Sequence, residues 1–458
     1  MRNGRINPPG PRQRFPGEHA LALSRDPLGS LLALAREYGD VARWRFRGTD
    51  YVLLVHPEHI RQVLVADHAA FTKGRVLQEV KGLLGEGLLT SEGEVHHRRR
   101  RTLQPAFRHE RITGLADDMV SAATDVSSGW SDGRRLDIHQ EMMRLTLNVV
   151  GRTLFDVDLD GRAHEIREAL GVILERQACS VRPFARTLDR LPLATRRRGE
   201  RAHERLESAV AELIASARTQ ENGGRALLAA LAEGSQRQAR DEAMTILLTG
   251  HETMANALTW TWAMLAQYPE VERKFHAELA QVLGDGLPAA RQVAALSYTE
   301  MVLRETLRLW PPVWRIGRRA LDDYEVDGYL IRAGSIVVMS PFVTQRDARF
   351  FPEPLRFDPD RWRPKERARR HRFSYFPFGG GPRVCIGEGF AWVEGKLLLA
   401  TLAHLWRPRP VPGHGIRPEP LVTLRPKGGL PVTLEARRPT PGRRPTLGAF
   451  DSRGSVPR

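Results

Sequence analysis

The run Phe378-Gly379-Gly380-Gly381-Pro382-Arg383-Val384-Cys385-Ile386-Gly387-Glu388-Gly389-Phe390-Ala391 constrains this chain more than any other stretch. A single cysteine sits between a glycine-rich turn and an amphipathic run, Phe390 to Leu405, that reads as a helix. Glycines let the backbone turn tightly and come close to a flat ligand. A helix start offers free N–H groups and the positive end of its dipole, which lower a thiol's pKa and favour the thiolate. A thiolate so placed is a metal ligand or a nucleophile. With Cys179 as the only other cysteine, a four-cysteine metal site is excluded, and no base for a cysteine nucleophile lies nearby in sequence.

Three further patterns bear on chemistry. Leu248-Thr249-Gly250-His251-Glu252-Thr253 interrupts a long apolar helical pattern from about Arg240 to Tyr268. Glycine inside a helix costs about 1 kcal/mol relative to alanine, so Gly250 marks a close approach or a distortion. Thr249 and Thr253, four apart, share one face, and such hydroxyls bond back to the preceding turn or hold a water. Glu305-Thr306-Leu307-Arg308 pairs opposite charges three apart, which on most helices is only an exposed pair worth a few tenths of a kcal/mol. Finally His96-His97-Arg98-Arg99-Arg100-Arg101 reads as a solvated basic face or an anion site, with His96 and Arg100 on one side of the helix.

The 458 residues, 41% hydrophobic and 27% charged, suffice for a large globular core, and no apolar run approaches the roughly 20 residues of a membrane span. The first residues, MRNGRINPPGPRQRFPGEH, lack the apolar core of a signal peptide, which makes a cytoplasmic location the expectation. A net charge of +16 raises nucleic acid as a partner, but the arginines are spread along the chain and no nucleic-acid-binding signature accompanies them. Residues 1–12 read as an extended lead-in and 438–458 as a basic disordered tail. Between them, a helix from Pro27 to Gly39, strands at Val41–Phe46 and Tyr51–Val55, and mainly helical periodicity from Gly93 to Gln267 precede a helix at Leu296–Leu309. Strands follow around Tyr324–Val326, Tyr329–Arg332 and Ile336–Ser340, then an irregular meander over Phe350–Phe378 and a last β region, Leu421–Leu434. The expectation is one large domain over 13–437, mainly α with a smaller β region built from both ends of the chain.

Phe378, Gly381, Arg383, Cys385 and Gly387 occupy the spacing Phe-x-x-Gly-x-Arg-x-Cys-x-Gly, and the run resembles the haem-ligating loop of the cytochrome P450 superfamily. The other motifs resemble that family's in kind and in order, over nearly the whole chain. The resemblance implies the P450 fold, haem b as cofactor, and Cys385 as the iron ligand with Phe378 shielding it. His96, Arg100 and Arg383, with Arg318 as a further contact, would meet the haem propionates. Glu252 and Thr253 match the oxygen-activation segment, Thr253 holding a proton-delivering water and Glu252 the relay behind it; Thr249 stands where a smaller residue is usual. Glu305 and Arg308 would lock Arg361 of the meander beneath the haem. The implied activity is insertion of one oxygen atom from dioxygen into a lipophilic small molecule, a terpenoid or carotenoid ahead of a fatty acid.

Electrons would come from a ferredoxin or flavodoxin with its reductase, docking on a basic face formed by 361–372, Arg98–Arg101 and Lys396. Pocket walls are expected from Leu77, Leu83, Leu84, Phe184, Leu247 and Trp314, with Arg182 and Arg186 at the mouth, and Cys179 buried in a capping region over 170–198. A haem-binding sensor would share the cysteine loop but need not keep Glu252 and Thr253 together. A basic nucleic-acid binder would account for the charge but not for the ordered motifs.

Overall fold

The computed structural model describes residues 6–437, apart from 14, 16, 47, 160–164, 167, 170, 173–193, 220–226 and 228–233. Cys179, Arg182, Phe184, Arg186 and the tail 438–458 lie outside the described residues, as does the side chain of Leu83.

Helices make up most of the chain, and one of them organises the rest. Gln236–Gln267 begins at Ser235 with a capping box, in which Ser235 Oγ accepts from Gln238 N–H and Gln238 Oε1 accepts from Ser235 N–H. Its side chains from Ala239 to Leu265 are buried nearly all round, the pattern of a helix that runs through a core rather than over it. Ile138–Val150 packs along it, and Gly250 shows why: a Cβ there would stand 3.1 Å from Val150 Cγ2. The close approach expected of Gly250 is thus observed. Ser297–Leu309 and Glu388–Leu405 pack on each other and on the long helix, and Glu388–Leu405 also lies against Ala116–Ser128.

The β structure joins the two ends of the chain, as expected. A five-stranded sheet runs in the order Val41–Phe46, Thr49–Leu54, Ile336–Met339, Ile316–Ala320, Phe71–Lys73. Thr49–Leu54 and Ile336–Met339 pair in parallel with Tyr51 opposite Ile336, and the other pairs are antiparallel. Trp406–Pro410, Pro431–Ala436 and Arg135–Asp137 form a second sheet, while Pro418–Pro420 and Leu424–Pro426 make a hairpin. Ile316–Ala320 and Trp406–Pro410 carry no strand signal in the sequence, because each is too short for alternation to stand out, and the second follows directly on a helix. The helix Pro27–Tyr38 matches its signals: Asp26 caps it by accepting from Gly29 N–H at 2.9 Å, and Gly39 ends it at φ 80°.

The meander is fastened by a buried ionic hub. Glu305 Oε1 and Oε2 accept from Arg308 Nη2 and Nε at 2.8 Å each, from Arg361 Nε at 2.9 Å, and from Trp362 Nε1 and Asp358 N–H at 2.9 Å. The two arginines spend their other donors on the carbonyls of Gln345, Pro352, Pro354 and Arg356. Arg361 is therefore the partner that the Glu305/Arg308 pattern called for.

Candidate active site

The cysteine loop turns as its glycines require. Gly379 and Gly381 have φ 75° and 68°, and a Cβ on Gly381 would fall 1.8 Å from the carbonyl oxygen of Leu64. Cys385 N–H donates to Phe378 O at 3.0 Å, which closes the loop, and the Phe378 ring packs against Trp392. Gly387 precedes the helix Glu388–Leu405 and aims its N–H at the sulfur.

Cys385 carries a free thiol that solvent can reach, although protein surrounds it on its other sides. That burial pushes the thiol up to about 11, against the opposing pull of the Gly387 N–H and the Arg100 guanidinium. The expectation that the helix start alone favours the thiolate is therefore corrected: desolvation outweighs it. A metal cation would reverse the balance, because coordination deprotonates a thiol outright.

The predicted propionate contacts gather beside this loop. Arg100 reaches across from the helix Gly93–Leu103 and donates to Val384 O at 2.7 Å. Arg383 donates to Phe71 O at 3.1 Å and pairs with Glu92 at 2.7 Å. Arg318 is buried, donates to Gly317 O, and is held down to about 10 by burial and by Arg383. His96 is buried and kept neutral, its pKa lowered to about 3 by burial and then by the nearby Lys73, Arg383 and Arg100.

Lys73 is a member of this group that sequence reasoning missed. It stands opposite Arg318 in the sheet register, donates to Leu88 O and Ser91 O, and is lowered to about 7, chiefly by burial. Its only signal was a lone lysine at the end of a short strand, which carries little by itself. Glu92 is paired with Arg383 and Glu242 with Arg99 at 2.9 Å, so the local surplus is positive. A reachable thiol beside clustered, partly desolvated cations and neutral His96 fits a flat metal macrocycle with anionic side arms.

On the long helix, a ladder of threonines bonds backward: Thr245 to Asp241 O, Thr249 to Thr245 O at 2.8 Å, and Thr253 to Thr249 O at 2.9 Å. Each hydroxyl has spent its proton, so Thr253 retains acceptor lone pairs only. Glu252 is buried, and its pKa is raised by burial against the hydrogen bond from Thr423 Oγ1 at 2.6 Å. Asp241 and Glu242 of the same helix accept from the N–H groups of Glu86 and Leu88 at 2.8 Å each, which pins the 85–88 wall.

Several expected placements change. Leu84, Leu247 and Trp314 are buried in the hydrophobic core, Trp314 in the cluster that also holds Leu28 and Leu31, rather than lining an open pocket; Leu77 is half-buried. Arg361 belongs to the Glu305 hub, Lys396 is buried and paired with Glu300 at 3.1 Å, and Arg99 is paired with Glu242. Those three cannot present charge to a partner. Arg98, Arg101, Arg363, Lys365, Arg367, Arg369 and Arg372 remain exposed.

A loop that presents one thiol beside an anion-binding cluster, on a fold threaded by a helix with a buried acid and alcohol, defines a haem-thiolate class of protein. The family model described as Cytochrome P450 matches residues 8–430. The chain belongs to the cytochrome P450 family. It is 39% identical over 420 residues to cyclooctatin synthase of Streptomyces melanosporofaciens, covering 89% of this chain and 91% of the relative. It is 31% identical to pentalenene oxygenase of Streptomyces avermitilis, covering 92% and 95%. The crystal structure of the cytochrome P450DA haem domain superposes with a TM-score of 0.85 at 25% identity, covering 95% of this chain and 99% of that one. Among the described residues no helix is long and apolar enough to cross a membrane.

Proposed function

We propose that this P450 monooxygenase oxygenates a ring-containing terpenoid, with Cys385 as the ligand of haem b and Thr253 and Glu252 as the proton-handling pair. The observation that carries the reading is the joint presence of the reachable Cys385 thiol, the cationic cluster and the buried acid beside Thr253. Bound haem supplies the redox and oxygen-activating chemistry. Arg100, Arg383, Arg318, Lys73 and neutral His96 would hold its propionates, and the Gly387 N–H would temper the electron donation of the sulfur. Thr253, with its proton committed to Thr249 O, would accept from a water and so orient it. Glu252, kept protonated more readily by burial, would resupply that water.

The terpenoid reading is supported by the two Streptomyces relatives, whose names concern cyclooctatin and pentalenene. Titrating the ferric protein with polycyclic terpenes and with straight-chain fatty acids tests it. The terpenes should give the low- to high-spin shift at micromolar concentration; a shift confined to fatty acids contradicts it. In Thr253→Ala, product per electron pair should fall on the order of tenfold or more, with peroxide rising to match, since a positioned proton donor is worth about 10²–10⁴ in rate.

Exposed Arg363, Lys365, Arg367, Arg369 and Arg372 support docking of an acidic ferredoxin or flavodoxin. Reversing Arg367 and Arg369 to glutamate should slow the first electron transfer at low ionic strength and leave it little changed at high. Stopped-flow reduction checks this, and equal rates for wild type and variant at low salt sink the docking face.

A further inference from the structure

Glu252 is braced from behind by side chains drawn from three separate elements. Thr423 Oγ1 donates to Glu252 Oε1 at 2.6 Å and accepts from Asn256 Nδ2 at 3.2 Å. Asn256 Oδ1 lies 3.0 Å from His139 Nε2. All four residues are buried. An amide oxygen only accepts, so His139 presents Nε2–H, and every donor in the chain points toward the carboxyl group. Aligned hydrogen bonds in a low-dielectric interior polarise and strengthen one another. A side-chain amide does not readily take up and pass on a proton, so the chain is a brace rather than a proton wire.

The position of Thr423 is itself tightly determined. Leu424 N–H donates to Pro312 O at 2.9 Å, Trp260 Nε1 to Leu424 O at 3.1 Å, and Trp314 Nε1 to Leu421 O at 3.1 Å. Trp260 is stacked on Trp310 at 4.3 Å, which fixes the donor on the long helix. The loop that leads into the strand Leu424–Pro426 is thus clamped on both sides of Thr423, to the long helix through Trp260 and to the 310–315 segment through Pro312 and Trp314. Among the described residues, Arg425, paired with Glu419 at 2.8 Å, is the charged group acting on the carboxyl; His139 reaches it only through Asn256 and Thr423, and His251 on the same helix turns its ring to Leu247 O at 2.6 Å.

We propose that Thr423, backed by Asn256 and His139, is a positioning residue that holds Glu252 in one orientation and sets how readily it releases a proton. Proton delivery would then be governed in part by the C-terminal β turn, a segment remote in sequence from the acid. The proposal rests on the relay reading of Glu252 given above.

Infrared difference spectroscopy of the holoenzyme tests it, with the Glu252 carboxyl band identified by its loss in Glu252→Gln. In Thr423→Val the band should titrate about one pH unit higher, because a hydrogen bond that favours the carboxylate is gone. If the acid stays protonated throughout, its C=O stretch should rise in frequency instead. Thr423→Ser should restore the wild-type band, and Asn256→Leu should shift it in the same direction by less. An unchanged midpoint and frequency in Thr423→Val overturns the brace. The relay is read separately, as peroxide released per electron pair in Glu252→Gln: an unchanged value overturns the relay and leaves a shifted Thr423→Val band standing for the brace.

Discussion

Glu305→Ala should abolish the folded, haem-loaded protein. The substitution leaves Arg308, fully buried, and Arg361, nearly so, without the carboxylate that both of them and Trp362 Nε1 address. Breaking a buried pair by removing one partner costs about 3–5 kcal/mol, because an uncompensated charge stays in the interior. That is a large share of the roughly 5–15 kcal/mol that typically separates folded from unfolded states. The damage would spread, since these arginines also hold the carbonyls of Gln345, Pro352, Pro354 and Arg356 and so the whole meander before the cysteine loop. Thermal unfolding followed by circular dichroism, with haem content per chain, measures it. A variant that melts within a few degrees of wild type and binds a full complement of haem would contradict the assigned role.

Cys385→Ala should give the opposite pattern, a folded protein without the chemistry. The side chain is accessible and its loop is closed by backbone bonds, Cys385 N–H to Phe378 O and Val384 N–H to Gly381 O, which alanine keeps. The melting temperature of the haem-free protein should therefore stay close to wild type. Oxygenation should fall to the uncatalysed background, as the thiolate whose electron donation favours O–O cleavage is gone. Product formation with a spin-shifting ligand, together with the apo-protein melt, separates the two effects; retained turnover would remove Cys385 from the role of ligand.

What was legible in the sequence was what depends on spacing. The cysteine loop, the acid and alcohol of the long helix, and the Glu305/Arg308 pattern are each contiguous, and their order along the chain carried as much information as their residues. Gly250 could be read as a close approach or a distortion because glycine is otherwise costly inside a helix, and a Cβ there would stand 3.1 Å from Val150 Cγ2. The rest was hidden for physical reasons. Lys73 joins the cationic cluster only through its antiparallel pairing with Arg318, some 245 positions away (318 − 73), so no local pattern marks it. Thr423 and His139 lie far in sequence from Glu252 and meet it only after the C-terminal turn closes on the long helix. The charges of Lys396 and Arg99 looked like a surface because a sequence does not reveal which cations are already paired. The protonation of Cys385 was misjudged for a related reason: the helix dipole is visible in the sequence, and the burial that opposes it is not.

The most direct test is the absorption spectrum of the reduced, carbon-monoxide-bound wild-type protein, recorded beside Cys385→Ala. A red-shifted Soret band in the wild type that vanishes in the variant is the result predicted for thiolate ligation by Cys385. A band at the ordinary position of a nitrogen-ligated haem, or one unchanged by the substitution, would contradict it.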